Sequence, residues 1–254
     1  MIAIDKVSKA YPGGAALTDV SMSIAAGEFV ALVGTSGSGK TTTLKTINRL
    51  IDPDKGEVRL DGKSVRDRPG PLLRRSIGYV FQGVGLFPHL TVAENIAVTP
   101  RLLGWSAYDI AKRTAELLHL VALPQAYGAR FPAALSGGER QRVGVARALA
   151  AKPKLMLMDE PFGALDPVTR IELGDAYRAL HDRLGLTTVM VTHDVSEAVL
   201  LADRIVVMKG GRVLADDTPR NLLAGAADPD VAALMATPKQ QADRVSALMA
   251  KPHE

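Results

Sequence analysis

The chain has 254 residues, no cysteine and a formal net charge of +4, from 31 lysines and arginines against 27 aspartates and glutamates. Apolar residues make up 47% of the chain and charged residues 23%, so we expect a large buried core, in one large domain or two small ones. Collagen-like, disulfide-stapled and mainly disordered proteins are excluded, and so are cysteine nucleophiles and cysteine-ligated metals.

Membrane insertion, secretion and nucleic-acid binding also fit the sequence poorly. No apolar run reaches the ~20 residues that cross a bilayer, and Asp5 and Lys6 stand where the apolar part of a signal peptide would begin. The positive surplus is mild, and one tryptophan, five tyrosines and five phenylalanines offer few rings for stacking on bases. We therefore expect a protein that stays in the cytoplasm and binds no nucleic acid.

The first part of the chain is predicted to form strands around one helix. A continuous apolar run over residues 29–33 is typical of a strand buried on both faces. The predicted elements are a half-buried strand through Val20, Met22 and Ile24, the strand at 29–33, a helix over 40–50 that stops at Asp52-Pro53, and a strand at 57–60 with a turn at Asp61-Gly62.

Residues 84–152 are predicted to be helical, and strands return after them. Thr91 with Glu94 fits a capping box, and Asp166-Pro167 is a favourable helix start. The predicted elements are helices from residue 92, from 106 to before Pro124 and over 139–151, a strand at 155–158, a helix from Asp166 to about Gly185, a strand at 187–192, a hairpin over 204–215, and a helical tail from Pro219 with breaks at Pro229 and Pro238. This order predicts an α/β fold with a mostly parallel sheet and a helical subdomain to one side.

Residues 34–41 read Gly-Thr-Ser-Gly-Ser-Gly-Lys-Thr and match the phosphate-loop pattern. Glycines let several N–H groups face one point, and the helix that follows adds its N-terminus to this anion site. We expect Lys40 to reach the β- and γ-phosphates and Thr41 to offer its hydroxyl to Mg²⁺. A flexible Gly/Ser loop is the alternative, but a buried strand before it and a helix after it are the context that the motif requires. The candidate nucleotide-binding residues are Gly34, Thr35, Ser36, Gly37, Ser38, Gly39, Lys40, Thr41 and Thr42.

Two adjacent carboxylates follow the predicted strand at 155–158. Ligands of open α/β sheets bind at the carboxyl ends of the strands, so Asp159 is placed to hold Mg²⁺ and Glu160 to orient or deprotonate an attacking water. A surface turn with two acids is the alternative, which the phosphate loop makes less attractive because both features complete one metal–nucleotide site.

A second candidate anion site lies about a hundred residues after the phosphate loop. The sequence Leu-Ser-Gly-Gly-Glu-Arg-Gln at 135–141 places Ser136, Gly137 and Gly138 at the start of a predicted helix. In isolation this is a weak motif, and one nucleotide does not need two phosphate sites from one chain.

Together these motifs, in this order, resemble the nucleotide-binding subunits of ATP-binding cassette (ABC) transporters. The resemblance implies the ABC ATPase fold, which is an α/β phosphate-loop core with a mostly parallel sheet, an antiparallel β subdomain and an inserted all-helical subdomain. It places an ABC ATPase domain at 1–225, with the nucleotide-binding core at 1–83 and 153–225 and the helical signature subdomain at 84–152. A helical tail at 226–254 follows.

The resemblance also implies roles for single residues. Tyr11 is similar to the aromatic residue that stacks on adenine, with a simple strand-end tyrosine as the alternative. Gln82 resembles the glutamine that senses Mg²⁺ and the γ-phosphate, and His193 the switch histidine that holds the γ-phosphate. Asp166 resembles the aspartate of the D-loop that crosses the dimer interface, a role compatible with capping a helix. Gly163 stands where that loop usually begins with serine.

In the family, residues like 135–141 close on the ATP held by the other protomer of a head-to-tail homodimer. The implied cofactors are ATP and Mg²⁺, and the implied partners are integral membrane permease subunits and, indirectly, a substrate-binding protein, at the cytoplasmic face of the inner membrane. Residues 84–105 are the candidate permease contact, with Leu86, Phe87 and Leu90 as its apolar residues. Packing of those residues inside the helical subdomain is an equal alternative.

Residues 46–51 look like those of importers of quaternary amines such as glycine betaine, choline and carnitine. Residues 85–96 are shared more widely among importers, but together with residues 102–105 they again look like this group. Because the sequence ends at Glu254, we expect the regulatory domain pair of many members to be absent. Importers of amino acids such as methionine are the alternative. Cassette ATPases of DNA repair, chromosome organisation or translation carry two cassettes or a coiled-coil insertion, and a metabolic kinase would not need residues 135–141 or His193.

Overall fold

The computed structural model describes residues 1–249, so the end of the predicted tail, residues 250–254, lies outside the described residues. Within residues 1–249 no helix is both long enough and apolar enough to span a bilayer. The strands of this part of the chain are β1 (Ile2–Tyr11), β2 (Gly14–Ile24), β3 (Phe29–Val33), β4 (Lys55–Leu60), β5 (Lys63–Ser64), β6 (Ile77–Val80), β7 (Leu155–Asp159), β8 (Thr187–Val191), β9 (Arg204–Lys209) and β10 (Arg212–Asp217). The α-helices are α1 (Lys40–Ile47), α2 (Gly70–Arg75), α3 (Val92–Leu102), α4 (Ala107–Leu120), α5 (Gly137–Leu149), α6 (Pro167–Leu184), α7 (Val195–Leu201), α8 (Pro219–Ala224) and α9 (Pro229–Met249).

Two sheets form the framework. The larger has the strand order β10-β9-β3-β8-β7-β6 and is parallel except for the β9–β10 hairpin. The smaller, β2-β1-β4-β5, is antiparallel. The predicted mostly parallel sheet, the antiparallel β subdomain and the helical block between β6 and β7 are therefore confirmed. The carboxyl ends of β3, β7 and β8 lead directly into the candidate site residues.

Successive residues of β3 point to opposite sides of the large sheet, as the pleat of a strand requires. Val30 and Leu32 face a hydrophobic cluster shared with β1, β2, β4 and α1, whereas Ala31 and Val33 face the cluster that contains the helices of residues 92–149. Val231 and Met235 of α9 are buried in this second cluster. The helical block and the beginning of the tail thus share one core with the large sheet.

Several element boundaries differ from the sequence prediction. The helix predicted over 40–50 ends at Ile47, because Arg49 adopts a left-handed φ of 53° and the N–H groups of Leu50 and Ile51 bond back to the Lys45 carbonyl. The predicted break at Pro238 is also wrong: the proline lies inside α9, where it removes one hydrogen bond without ending the helix. Pro229, by contrast, begins α9.

Five elements have no counterpart among the predicted ones, namely β1, β5, β6, α2 and α7. In β1 the alternation of apolar residues is interrupted, because Lys6 has a left-handed φ of 48° and the pairing with β2 shifts register between Ile4 and Val7. The bulge turns Val7 into the core, so the pattern of period two is lost over this stretch.

Candidate functional site

The loop between β3 and α1 has a backbone shape that requires glycine. Gly34 has a φ of 145°, and a Cβ there would overlap the carbonyl oxygen of Met208 on β9. Gly39 has a φ of 100°, and its Cβ would lie 2.6 Å from the carbonyl oxygen of Ala16 on β2. Both positions combine a left-handed conformation with close backbone packing, so the loop can hold this curl only with glycine.

Residues from both ends of the chain support this loop. The Gly211 amide in the β9–β10 turn donates to the Ser38 carbonyl oxygen at 3.1 Å, and the Gly211 carbonyl accepts from the Thr18 amide at 2.8 Å. A Cβ on Gly211 would lie 2.8 Å from the Ala16 carbonyl oxygen. The loop is therefore packed between β2 of the small sheet and the last hairpin of the large sheet.

The Lys40 side chain lies inside the curl of the loop. Its Nζ donates to the carbonyl oxygens of Gly34 and Thr35, both at 2.8 Å, and to the Ser38 hydroxyl at 3.2 Å. Burial lowers the pKa of the Lys40 amine, and neighbouring carboxylates oppose that shift. An ammonium that is desolvated in this way gains from an added anion, which fits the phosphates of a nucleotide.

An oxygen pair suited to a hard cation lies beside the loop. The Thr41 hydroxyl donates to Asp159 Oδ1 at 2.9 Å, although 118 residues separate them. Burial raises the pKa of the Asp159 carboxyl, and the hydrogen bond from Thr41 opposes the shift. Its charged form is thus destabilised in the protein alone and would gain from a cation. Hydroxyl and carboxylate oxygens are the ligands that Mg²⁺ prefers, so this pair fits the metal.

Glu160 leaves β7 at the same edge of the sheet. It has a left-handed φ of 48°, and its amide donates to the Val191 carbonyl of β8 at 2.9 Å. The Glu160 carboxylate lies 3.5 Å from the His193 ring, measured from Oε1 to Nδ1. Two neighbouring parallel strands therefore deliver these two side chains to one place.

One open cleft contains most of the predicted site residues. The phosphate loop forms one wall, and the residues that follow β6, β7 and β8 contribute the others. The cleft is lined by Tyr11, Ala16, residues 36–42, Gln82, Glu160 and His193. Gly34 and Thr35 shape the loop behind it, and Asp159 is buried beside Thr41.

Tyr11 stands at the end of β1, exposed to the cleft, and its strand end is fixed by one carboxylate. Asp54 accepts from the Lys9 amine at 2.7 Å and from the Ala10 amide at 2.8 Å. The Lys9 ammonium lies 5.8 Å from the centre of the Tyr11 ring. The strand end that carries the Tyr11 ring is thus anchored beside the cleft.

The loop after Gln82 is fixed by α5, the helix that begins within the serine-glycine motif at residues 135–141. Arg147 of α5 donates to the carbonyl oxygens of Gly85 at 2.7 Å and Val84 at 2.8 Å. The guanidinium is buried, and burial lowers the pKa of Arg147 to about 10. The position of Gln82 therefore depends on the position of α5.

The second candidate anion site does not line the cleft. Ser136 and Glu139 form a capping box on α5, in which the Ser136 hydroxyl accepts from the Glu139 amide at 3.2 Å and the Glu139 carboxylate accepts from the Ser136 amide at 2.7 Å. Asp166 likewise caps α6 by accepting from the Thr169 amide at 3.0 Å. Gly34, Thr35 and Asp159 lie just behind the cleft lining, whereas four other predicted site residues have no contact with it, namely Ser136, Gly137, Gly138 and Asp166.

Sequence reasoning missed several residues that hold the site together. The side-chain amide of Gln141 on α5 donates from Nε2 to the Glu160 carbonyl oxygen at 3.3 Å. Arg170 forms an ion pair with Asp194, the residue after His193. The Ala16 carbonyl oxygen packs so closely on Gly39 and Gly211 that neither position has room for a Cβ. Gln141 stood in the quoted motif, whereas the other three have no local pattern that could have revealed them.

A parallel sheet whose strand ends carry a glycine loop at a helix N-terminus and an acidic pair is the architecture of a phosphate-loop nucleotide-binding protein. A family model described as ABC transporter matches residues 17–163, more than half of the sequence. The chain belongs to the ABC transporter family, as its motifs predicted.

Relatives of known function cover nearly the whole chain. It is 50% identical over 229 residues to the choline transport ATP-binding protein OpuBA of Bacillus subtilis (strain 168), covering 90% of this chain and 60% of the relative. It is 49% identical over 223 residues to the glycine betaine uptake system ATP-binding protein YehX of Escherichia coli (strain K12), covering 88% and 72%. The chain spans about 60% of the length of the first of these relatives.

A solved structure has the same fold. It is the dimeric, post-hydrolysis state of an ATP-binding cassette bound to ADP and Pi, with a TM-score of 0.81 and 36% identity over 87% of this chain and 99% of that one. The ABC ATPase fold expected from the motifs is therefore confirmed.

Proposed function

We propose that this chain binds ATP with Mg²⁺, hydrolyses it, and powers solute import through separate membrane subunits. The observation that carries the proposal is the single cleft that unites the phosphate loop with Tyr11, Gln82, Glu160 and His193. About 50% identity to ATP-binding proteins of uptake systems supports it.

The chain's own residues divide the chemistry between binding and proton transfer. Loop N–H groups and the Lys40 amine bind the β- and γ-phosphates, and Tyr11 stacks on the base. Glu160 accepts the proton of the attacking water, and His193 holds the γ-phosphate beside it. Mg²⁺, held by Thr41 and Asp159 with Gln82 nearby, would neutralise charge on the phosphates.

A second copy of the chain completes the site in this proposal. Ser136, Gly137 and Gly138 lie at a helix N-terminus, where an anion is favoured, yet they do not line the cleft of their own chain. A head-to-tail homodimer would bring them to the partner's ATP and would place Asp166 at the interface. The dimeric state of the similar solved cassette supports this arrangement.

Membrane subunits are proposed to dock on the groove between the helical block and β6. Its lining includes Leu50, Phe81 and Phe87, each more than two fifths exposed. Leu86, a candidate contact residue in the sequence, instead packs against the core. The contact would hold the chain at the cytoplasmic face of the inner membrane, with a substrate-binding protein acting further along the same transport path. The division of the chain at residues 84, 153 and 226 stays a prediction.

The proposed solutes are quaternary amine osmoprotectants: glycine betaine, choline and carnitine. The names of the similar choline, carnitine and glycine betaine transport proteins support this class. There are two alternatives to import of quaternary amines. The chain could power import of another small solute such as an amino acid, or it could have a role outside transport.

The test is solute uptake at high osmolarity in cells that lack this chain, complemented with the wild type or with Glu160→Gln. The panel contains glycine betaine, choline, carnitine, proline and methionine. Uptake of a quaternary amine with the wild type alone supports both the ATPase and the solute class. Uptake of a different solute retains the ATPase role and contradicts the class, and no uptake of any solute contradicts the importer proposal.

A further inference from the structure

One arginine joins the two loops that leave β7 and β8. Arg170 lies in the first turn of α6, and its Nη1 donates to Asp194 Oδ2 at 3.1 Å. Its Nη2 donates to the Leu165 carbonyl oxygen at 3.3 Å. The same guanidinium therefore contacts the segment from Glu160 to Asp166 and the segment that contains His193.

Asp194 transmits this contact to His193 because its other oxygen and its backbone are already fixed. Oδ1 caps α7 by accepting from the amides of Ser196 at 2.9 Å and Glu197 at 3.2 Å. The Asp194 amide donates to the Thr192 hydroxyl at 3.0 Å. His193, between these two residues, has a side chain that is 67% exposed. The position of His193 is thus set mainly by its backbone.

Leu165, whose carbonyl accepts the second hydrogen bond from Arg170, is also held in place. The Leu165 side chain is buried, and a Cβ added to Gly138 of the serine-glycine motif would lie 3.1 Å from its Cδ2 atom. The Asp166 carboxylate caps α6 just before Arg170. A shift of the loop that carries Asp166 must therefore move the Leu165 carbonyl and strain its hydrogen bond to Arg170.

We propose that Arg170 is a positioning residue that couples the Asp166 loop to His193. The proposal rests on the proposed function, because it assigns to Arg170 the placing of His193 beside the γ-phosphate. The Arg170 and Asp194 side chains are each 32% exposed, and an ion pair this accessible adds little to folding stability. The geometry instead gives the pair a role in placement: the rigid, planar guanidinium holds its two acceptors, Asp194 and the Leu165 carbonyl, in a fixed relative geometry.

The test compares four single variants and one double variant for binding, hydrolysis and stability. Arg170→Met removes both contacts, whereas Asp194→Asn removes the charge and keeps a good helix cap. Arg178→Met is the matched control, because Arg178 lies on the same helix, pairs with Asp182 and Asp203 and donates to the Leu201 carbonyl, and none of these residues lines the cleft. His193→Ala, alone and combined with Arg170→Met, completes a double-mutant cycle, which reports whether Arg170 acts through His193.

We expect Arg170→Met to lower kcat about 10- to 100-fold, as small misplacements of reacting groups do. Its preference for ATP over ADP, measured by calorimetry with Mg²⁺, should fall to the value of His193→Ala, with ADP affinity unchanged. Asp194→Asn should lie between it and the wild type. Added to His193→Ala, Arg170→Met should cause no further loss. Arg178→Met should leave kcat unchanged.

Three results would overturn the coupling. These are an unchanged ATP preference in Arg170→Met, losses that multiply with those of His193→Ala, or an equal loss in Arg178→Met. Failure of the proposed function has a different signature, since the wild type itself would then hydrolyse no ATP. The ratio of ATP to ADP affinity still tests the coupling of Arg170 to His193 in that case, because it is a binding measurement.

Discussion

The tail helix α9 provides a sharp test of how the core is built. Met235 is 3% exposed and lies in the cluster that also contains the helices between β6 and β7. Replacing a buried methionine by alanine removes most of its apolar surface and leaves a cavity, which costs about 2–5 kcal/mol. For a chain of this size, each kcal/mol lowers Tm by about 2–4 °C, so Met235→Ala should lower Tm by about 4–20 °C.

The assay is thermal unfolding followed by circular dichroism, with Leu200→Ala as the control. Leu200 is 74% exposed on α7, the helix on which α9 packs, and its truncation should change the free energy of unfolding by less than about 0.5 kcal/mol. Equal Tm values for Met235→Ala and Leu200→Ala would refute the reasoning. The tail would then be an appendage and not part of the core.

Three further predictions concern the nucleotide, the dimer and pH. Lys40→Ala should weaken ATP binding about 10- to 100-fold in calorimetry, because a charge-assisted hydrogen bond to phosphate is lost. Ser136→Arg should leave ATP binding by the monomer intact but prevent the ATP-dependent dimer in light scattering. Burial lowers the pKa of His181, whose ring bonds to Thr188 and Gly27, so the unfolded chain binds the proton more readily. The free energy of unfolding in urea should therefore fall as pH is lowered below about 6.5, and less so in His181→Gln.

Each of these expectations has a result that contradicts it. Unchanged ATP affinity in Lys40→Ala would remove the amine from the phosphate site. A normal ATP-dependent dimer in Ser136→Arg would contradict the head-to-tail arrangement. Equal pH dependence in the wild type and His181→Gln would mean that other groups cause the acid sensitivity.

The sequence was most informative where function depends on local conformation. Glycines 34 and 39 must be glycine because of φ and close packing, so the phosphate loop is readable from eight residues. The capping box predicted at Thr91 likewise depends on residues three apart. Contacts such as that of Arg170 with Asp194 depend on strand order, which no single stretch of sequence contains.

The place of β3 in the large sheet has a consequence for synthesis on the ribosome. The strand that carries the phosphate loop pairs with β8 and β9, which are made more than 150 residues later. The loop is also supported by Gly211. Until these segments leave the ribosome, β3 has no strand partners, and its face with Phe29, Ala31 and Val33, which packs on later elements, stays an exposed apolar surface of the kind that chaperones bind. Nascent chains shorter than about 211 residues should therefore be unable to retain ATP.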